Sequence, residues 1–250
     1  MEFLILLPVL NRRSVMATAL VLTLTACASV EQRHARDPFE PVNRVVFSFN
    51  QKADRYVIQP VAEGYKTVTP EPVRVGVSNV FDNMKDIVSF ANHAVQLKPK
   101  EALNDFFRVA VNTVFGFGGL LDIASPMGLK SQKSGFGDTL AHYGWKNSDY
   151  VMLPLLGPST VRDTIGTGVD FVSNPLDHYV QHDVPTRNTL VGVNVINQRA
   201  RLLGSEKLLE EAALDPYSLM RDTYLQMRDK KVGLPSQAEE DIPINELVNP

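Results

Sequence analysis

The chain has 250 residues, 44% of them hydrophobic, a formal net charge of -3 and one cysteine, Cys27. That composition excludes a disordered chain, and the charge excludes the basic excess by which proteins hold nucleic acid. A lone cysteine excludes an internal disulfide and a multi-cysteine zinc site.

Arg12 and Arg13 precede an apolar run, Val15 to Thr23, which ends in Leu24-Thr25-Ala26-Cys27. A charged start, a short apolar stretch and small residues before a cleavage site make a secretory signal, and the stretch is too short to span a bilayer. Followed by the only cysteine, it is the pattern for attaching diacylglycerol to the Cys27 thiol and removing residues 1–26. Ala28 and Ser29 come next, where an aspartate would favour retention at the inner membrane. The expected location is therefore the periplasm-facing inner leaflet of a Gram-negative outer membrane, lipid-anchored. The expected layout is a signal peptide at 1–26, a lipidated tether at 27–36, one helical domain at 37–232 and a disordered acidic tail at 233–250.

Asp37-Pro38 and Glu40-Pro41 punctuate the start of order. From Val42 the apolar positions 42, 45, 46, 49, 53, 56 and 57 follow a helical period, with Phe47 off the stripe. Thr69-Pro70-Glu71 is a helix start, and apolar residues at helical spacing continue to Val95. Pro99 with Glu101 opens a third helix that ends at Gly116, where a chain turns left-handed without penalty. Residues 116–139 read as irregular, with Ser125 to Thr139 a long loop or hairpin between apolar shoulders. Tyr150 to Pro158 is an apolar strip broken by Pro154 and Pro158, and Ser159 caps a short helix through Val172. A further piece lies between Pro175 and Pro185. Thr186 to Leu203 is a helix ended by Gly204, and Asp215-Pro216 starts a last helix to about Lys231. Strand signals are nearly absent, so the expected fold is mostly α.

No catalytic constellation is complete. Gly76-Val77-Ser78-Asn79 lacks the second glycine of a nucleophile elbow, and Gly116-Phe117-Gly118-Gly119 follows a helix instead of the strand a dinucleotide loop needs. His178 and His182 stand four residues apart beside Asp177 and Asp183, but without the glutamate of a zinc protease; a solvated polar face is the better reading. Ser159 with His142 and Asp138 or Asp163 would need three separate loops to converge. An enzyme is not expected, nor a cofactor or metal.

The positive features are apolar: Phe47 with Phe49, Phe90 beside Ile87 and Val88, Phe106-Phe107, Phe115 with Phe117. An ordinary core is the plain destination for such rings. A lipidated protein offers a second, because helices apolar on more than one side can lie in a membrane interface with rings among acyl chains.

Asp37-Pro38-Phe39-Glu40-Pro41-Val42-Asn43-Arg44 with Phe47-Ser48-Phe49-Asn50 resembles the opening signature of the MlaA/VacJ family of outer-membrane lipoproteins. More of that pattern follows in order: Asn112-Thr113 through Gly116 to Ala124, Phe136 to Leu140 with Tyr143-Gly144, Tyr150 through Leu153 to Thr160 with Arg162-Asp163, and Asp215-Pro216-Tyr217. The resemblance implies a ring of amphipathic helices embedded in one membrane leaflet, around a central amphipathic channel. It implies that mislocalised outer-leaflet phospholipid passes through that channel to a soluble periplasmic phospholipid carrier, beside a trimeric outer-membrane porin, maintaining lipid asymmetry. Carried over by position, the channel or gating-loop candidates are Phe115, Phe117, Leu120, Leu121, Met127, Gly128, Gly135, Phe136 and Gly137. Gly128, Gly135 and Gly137 are the expected hinges, and Lys130 and Lys133 would meet either lipid phosphates or, more commonly, solvent. The rival reading is an envelope scaffold lipoprotein that moves no lipid.

Overall fold

A computed structural model describes residues 34–173, 183–204 and 214–235. The chain forms two units, 1–38 and 39–250. The described part of the first is a turn in which the Asp37 N–H donates to the His34 carbonyl at 2.9 Å. The second carries every element below. Cys27, the tether before His34, the His178/His182 pair and the tail beyond Pro235 lie outside the described residues.

The second unit is mostly helical, as the sequence predicts. α1 (Glu40–Ala53) runs through a π turn (Asp54–Ile58) into α2 (Gln59–Val68), so the first helical stretch continues beyond the expected stripe. Pro60 has no N–H to give the preceding turn, and the wider π turn absorbs its ring. α3 (Glu71–Val95) and α4 (Pro99–Val114) follow, with Pro72 and Pro99 in their first turns. Three residues join them, and Leu97 takes a left-handed φ of 57°.

Three local findings differ from the sequence reading, the first being that Thr160, and not Ser159, caps the helix through Val172. Phe136–His142 is a short helix, α5, that begins within the segment expected to be a loop, Ser125 to Thr139, and runs past its end. Tyr150–Leu153 (β1) and Gly157–Thr160 (β2) form an antiparallel hairpin, with Tyr150 opposite Thr160 and Leu153 opposite Gly157. Pro158 suits the edge of so small a sheet. The other edge of β1 is covered by two asparagines one heptad apart on α1. Asn43 accepts from the Met152 N–H (2.9 Å) and donates to the Tyr150 carbonyl (3.2 Å). Asn50 does the same for Leu155 N–H (2.8 Å) and the Leu153 carbonyl (2.9 Å). These amides stand in for a third strand, satisfying backbone groups that burial would leave costly.

α6 (Val161–Val172) is capped by Thr160, α7 (Val184–Leu202) by Asp183 and α8 (Pro216–Val232) by Asp215. The buried apolar cluster is small: Phe47 of α1, Tyr150 and Met152 of β1, Tyr217 and Leu225 of α8. Phe47 and Tyr217 meet edge to face at 5.6 Å. Arg44 lies 4.4 Å from the centre of the Tyr217 ring and pairs with Asp215 at 2.7 Å, closing this junction from outside. α7 docks through polar atoms: Arg199 grips Asp54 with two bonds of 2.6 and 2.7 Å, and Asn197 links Tyr65 of α2 to Ser78 of α3.

Candidate functional site

α3 and α4 pack through their polar faces. On α4 the buried residues are Ala102, Asp105, Arg108 and Asn112, spaced three, three and four apart. On α3 they include Ser78, Asn83, Asp86, Ser89, Asn92 and His93. His93 Nδ1 lies 2.7 Å from Asp105 Oδ2, Arg108 Nε 3.1 Å from Asp86 Oδ2, and Asn83 donates to Thr113 Oγ1 at 3.1 Å. Burial pushes the Asp105 carboxyl above its ordinary value, against the bond from His93.

The apolar residues take the opposite side. Val73, Val75, Phe90 and Val95 of α3 and Leu103, Phe106, Phe107 and Val114 of α4 are exposed. Phe90 and Phe106 lie 6.1 Å apart, centre to centre, and Phe106 and Phe107 5.6 Å, so the outward rings of the two helices meet. α1 repeats the pattern: Asn43 is buried, whereas Val42, Val45 and Phe49 are exposed. Outside the Phe47 cluster, polar faces do the packing, because hydrogen bonds and ion pairs satisfy one another across them.

The carried-over candidates divide into two groups. Phe115, Phe117, Leu120 and Leu121 stand exposed on one turn after α4, and Met127 is exposed beyond it. Phe117, Gly118 and Gly119 have φ of 52°, 71° and 93°, a left-handed run in which only Phe117 bears a side chain. A phenylalanine there costs about 1–2 kcal/mol in backbone strain, so the turn presents Phe117, 77% exposed, at an energetic cost. A Cβ on Gly116 would fall 2.3 Å from the Leu121 carbonyl oxygen, which makes glycine obligatory there. Asn79 fixes the turn to α3 by donating to the Leu120 carbonyl at 2.9 Å.

The second group, Gly135, Phe136 and Gly137, is held tightly. The Phe136 N–H donates to Asp170 Oδ2 at 2.8 Å, and Cβ atoms on Gly135 and Gly137 would lie 2.6 Å from Asp170 Oδ2 and 2.5 Å from Asp163 Oδ1. These two glycines permit close approach to α6 and are not free hinges in this conformation. Gly128, with φ of 87° and open space around it, keeps the geometry of a hinge. The segment expected to be mobile is also tied down: Arg108 donates to Ser125 Oγ at 3.0 Å, and Asn112 accepts from the Ala124 N–H at 2.9 Å. Lys133 is engaged by Asp86 and the Asp82 carbonyl, while Lys130 is exposed.

Asp163 sits at a second polar junction. It accepts from Arg228 at 2.6 and 2.8 Å, from Arg162 at 3.0 Å and from Tyr224 at 3.2 Å. Asp138 adds Arg228 at 2.9 Å and Lys231 at 2.7 Å, so α8 is fastened to α5 and α6 by charge. Burial works to raise the Asp138 carboxyl, but Lys231, the Gly135 N–H and Arg228 hold it below its ordinary value. Ser159 Oγ is paired with Thr164 and the Thr160 carbonyl, and no hydrogen bond joins it to His142 among the described residues. Neither junction assembles a nucleophile with a base.

The geometry is thus of helices charged within and apolar without. The family model for the MlaA lipoprotein matches residues 35–231. The chain belongs to the MlaA lipoprotein family. Similar MlaA proteins include the intermembrane phospholipid transport system lipoprotein MlaA of Haemophilus influenzae, 34% identical over 235 residues that cover 89% of this chain and 92% of that one. The MlaA of Escherichia coli K12 is 34% identical over 212 residues, 82% of this chain and 83% of that one. A solved structure described as "Structural basis for maintenance of bacterial outer membrane lipid asymmetry" superposes with a TM-score of 0.69 at 34% identity, covering 78% of this chain and 98% of that one. The MlaA match takes in α1 through all but the last residue of α8.

Sequence reasoning missed the buried polar stripes. Their signal was present in Asp105, Arg108 and Asn112, polar residues at helical spacing between phenylalanines, but hydrophobic periodicity alone does not say which face turns inward.

Proposed function

We propose that this chain is the outer-membrane lipoprotein of an intermembrane phospholipid transport system. It lies in the inner leaflet of the outer membrane, anchored through Cys27, its helices arranged in a ring about an amphipathic channel. It takes mislocalised phospholipid from the outer leaflet and passes it to a soluble periplasmic carrier, in company with a trimeric porin. No bond is made or broken; the work is binding and passage.

The observation that carries this reading is the reversal on α3 and α4, with Phe90, Phe106 and Phe107 exposed and Asp86, Asp105 and Arg108 buried. In water such a surface is unfavourable; among acyl chains each phenylalanine contributes roughly 1.5–3 kcal/mol. No helix of the described residues is long and apolar enough to cross a membrane, which suits helices lying in one leaflet. The polar interior gives a headgroup a wet side, and the exposed turn at Phe115 to Leu121 gives tails an apolar one. Relatives named for intermembrane phospholipid transport support the same assignment.

The test is outer-leaflet phosphatidylethanolamine on intact cells, read with an impermeant amine-reactive label. Deletion raises the signal, and the wild-type chain, but not Cys27→Ala, restores it. An unchanged signal on deletion, in a strain with no second family member, overturns the proposal in favour of a scaffold.

A further inference from the structure

A cleft of about 510 Å³ opens where the end of α3, the segment before α5, the loop at Lys146 and the end of α8 meet. We infer that it binds a phosphoryl oxyanion, held between Lys98 and Lys146. The inference rests on the lipid-handling reading for its ligand: the phosphodiester of a phospholipid headgroup.

Lys98, Lys133, Lys146 and Lys231 line the cleft, with Asp138 the carboxylate among its walls. Two of these cations are already spent. Lys133 is bonded to Asp86, and Lys231 lies 2.7 Å from Asp138. The other two meet no carboxylate among the described residues. Lys98 Nζ donates only to the neutral Gln96 Oε1, at 2.7 Å. The Lys146 ammonium makes no hydrogen bond or ion pair among the described residues. This departs from the habit of the fold, in which Arg108, Arg162, Arg199 and Arg228 each meet a carboxylate.

The Lys98 ammonium is held in place, and the backbone of Lys146 is anchored. Gln96 is 2% exposed, and its amide nitrogen is fixed by Ser134 Oγ at 2.9 Å and Thr139 Oγ1 at 3.0 Å. Its carbonyl oxygen is therefore aimed, and it holds Lys98 at the cleft wall. The backbone of Lys146 is anchored by its carbonyl, which accepts from the buried Arg162 at 2.6 Å. His142 stands on the same wall as a further donor. A cleft of this size takes a small ligand. Its lysine, glutamine, serine and histidine walls suit a headgroup and disfavour acyl chains. Lysine binds phosphate as a point charge, so two ammonium groups without counter-ions supply the recognition.

The test uses the full-length lipoprotein in uncharged detergent, titrated calorimetrically with sn-glycero-3-phosphoglycerol, with inorganic phosphate and with glycerol as the blank. Saturable binding is expected, weakened about tenfold or more in Lys98→Gln/Lys146→Gln and unchanged in Lys52→Gln. Binding of the glycerophosphodiester but not of inorganic phosphate assigns the site to a lipid headgroup; equal binding assigns it to the free ion, and either keeps the oxyanion site. Equal affinity in wild type and the double variant, or no saturation with either phosphate probe, overturns it. Lys146→Gln alone, at an exposed ammonium without partners, gives the same readout should the double variant fail to fold. Failure of the wild-type chain to restore lipid asymmetry would strike the transport reading alone; restored asymmetry with binding indifferent to Lys98 and Lys146 would strike this one alone.

Discussion

Arg108 and Asp86 meet 3.1 Å apart between α3 and α4, each side chain almost wholly buried, and Arg108 reaches past the pair to Ser125 and the Leu129 carbonyl. One guanidinium therefore joins two helices to the segment that carries Met127 and Gly128. Polar packing of this kind depends on complete pairing. A buried ion with its partner removed has neither water nor a counter-charge, whereas a matched apolar replacement of both partners can be nearly neutral.

Asp86→Leu is accordingly expected to destabilise the protein by about 1–3 kcal/mol, because it takes from Arg108 the nearer of its two carboxylates, leaving Asp122 at 3.5 Å, and also frees Lys133. Arg108→Leu is expected to do similar damage, and Asp86→Leu/Arg108→Leu less than the sum of the two. Chemical denaturation of the detergent-solubilised chain, fitted as a double-mutant cycle, measures this. Additive losses would show that the pair does not act as a unit.

Gly137 and Gly128 should respond differently to alanine. At Gly137 the new Cβ would lie 2.5 Å from Asp163 Oδ1 and 3.1 Å from the Asp163 Cα, which is backbone and cannot swing aside. A loss of roughly 1–3 kcal/mol is expected, with loosening of α5 from α6. At Gly128 there is open space but φ is 87°, so alanine is expected to cost about 1 kcal/mol through backbone strain alone. Melting temperatures of the two variants test the ordering. A Gly137→Ala protein as stable as wild type would show that α6 can retreat, and would return Gly137 to the hinges.

Much of the helical order was legible because proline, aspartate and glycine mark helix ends by local chemistry. Asp215-Pro216 starts α8 and Gly233 ends it in a left-handed conformation, as such residues dictate wherever they occur. The hairpin at Tyr150 was not legible, because its outer edge is completed by Asn43 and Asn50, more than 100 residues away in sequence. Its strands are four residues each, and one contains Pro158. Nor could periodicity reveal the orientation of α3 and α4. An amphipathic helix has two faces, and which is buried depends on the surrounding medium. The cleft lysines were invisible for a simpler reason: Lys98 and Lys146 are ordinary surface lysines until their neighbours are placed.

Stability should fall on both sides of the ordinary carboxylate value of 3.8, for opposite reasons. The hydrogen bond from Arg44 holds Asp215 well below it, so this pair stabilises the fold above that value and its contribution is lost as pH falls through the lower folded value. Burial pushes Asp105 and Asp170 above it, so their contribution is present below that value and is lost as pH rises through the higher folded values. Asp105→Asn, which keeps a partner for His93, is therefore expected to flatten the decline above the ordinary value. Asp215→Asn is expected to flatten the decline below it. Thermal melts across acidic pH check both, and a variant that parallels wild type throughout would remove its residue from the account.

Phe117 separates the needs of folding from those of the membrane. Its side chain is exposed and its backbone is left-handed, so it contributes little packing while straining the turn. Phe117→Gly is expected to raise stability in detergent by about 1 kcal/mol, since glycine takes this φ without a Cβ penalty. The same change removes an apolar ring from the outward turn and is expected to weaken association with lipid vesicles when the chain carries no lipid on Cys27. It should also leave lipid asymmetry incompletely restored in cells. Phe117→Trp, which retains the ring and the strain, should keep both membrane properties. The comparison needs a melting curve, a vesicle flotation assay and the outer-leaflet label on the same three proteins. A Phe117→Gly chain that floats and complements as wild type does would leave the strain at this turn without a membrane purpose. A chain that is stabilised yet fails in both assays would show that the fold accepts a poorer backbone in order to hold an aromatic ring where lipid meets it.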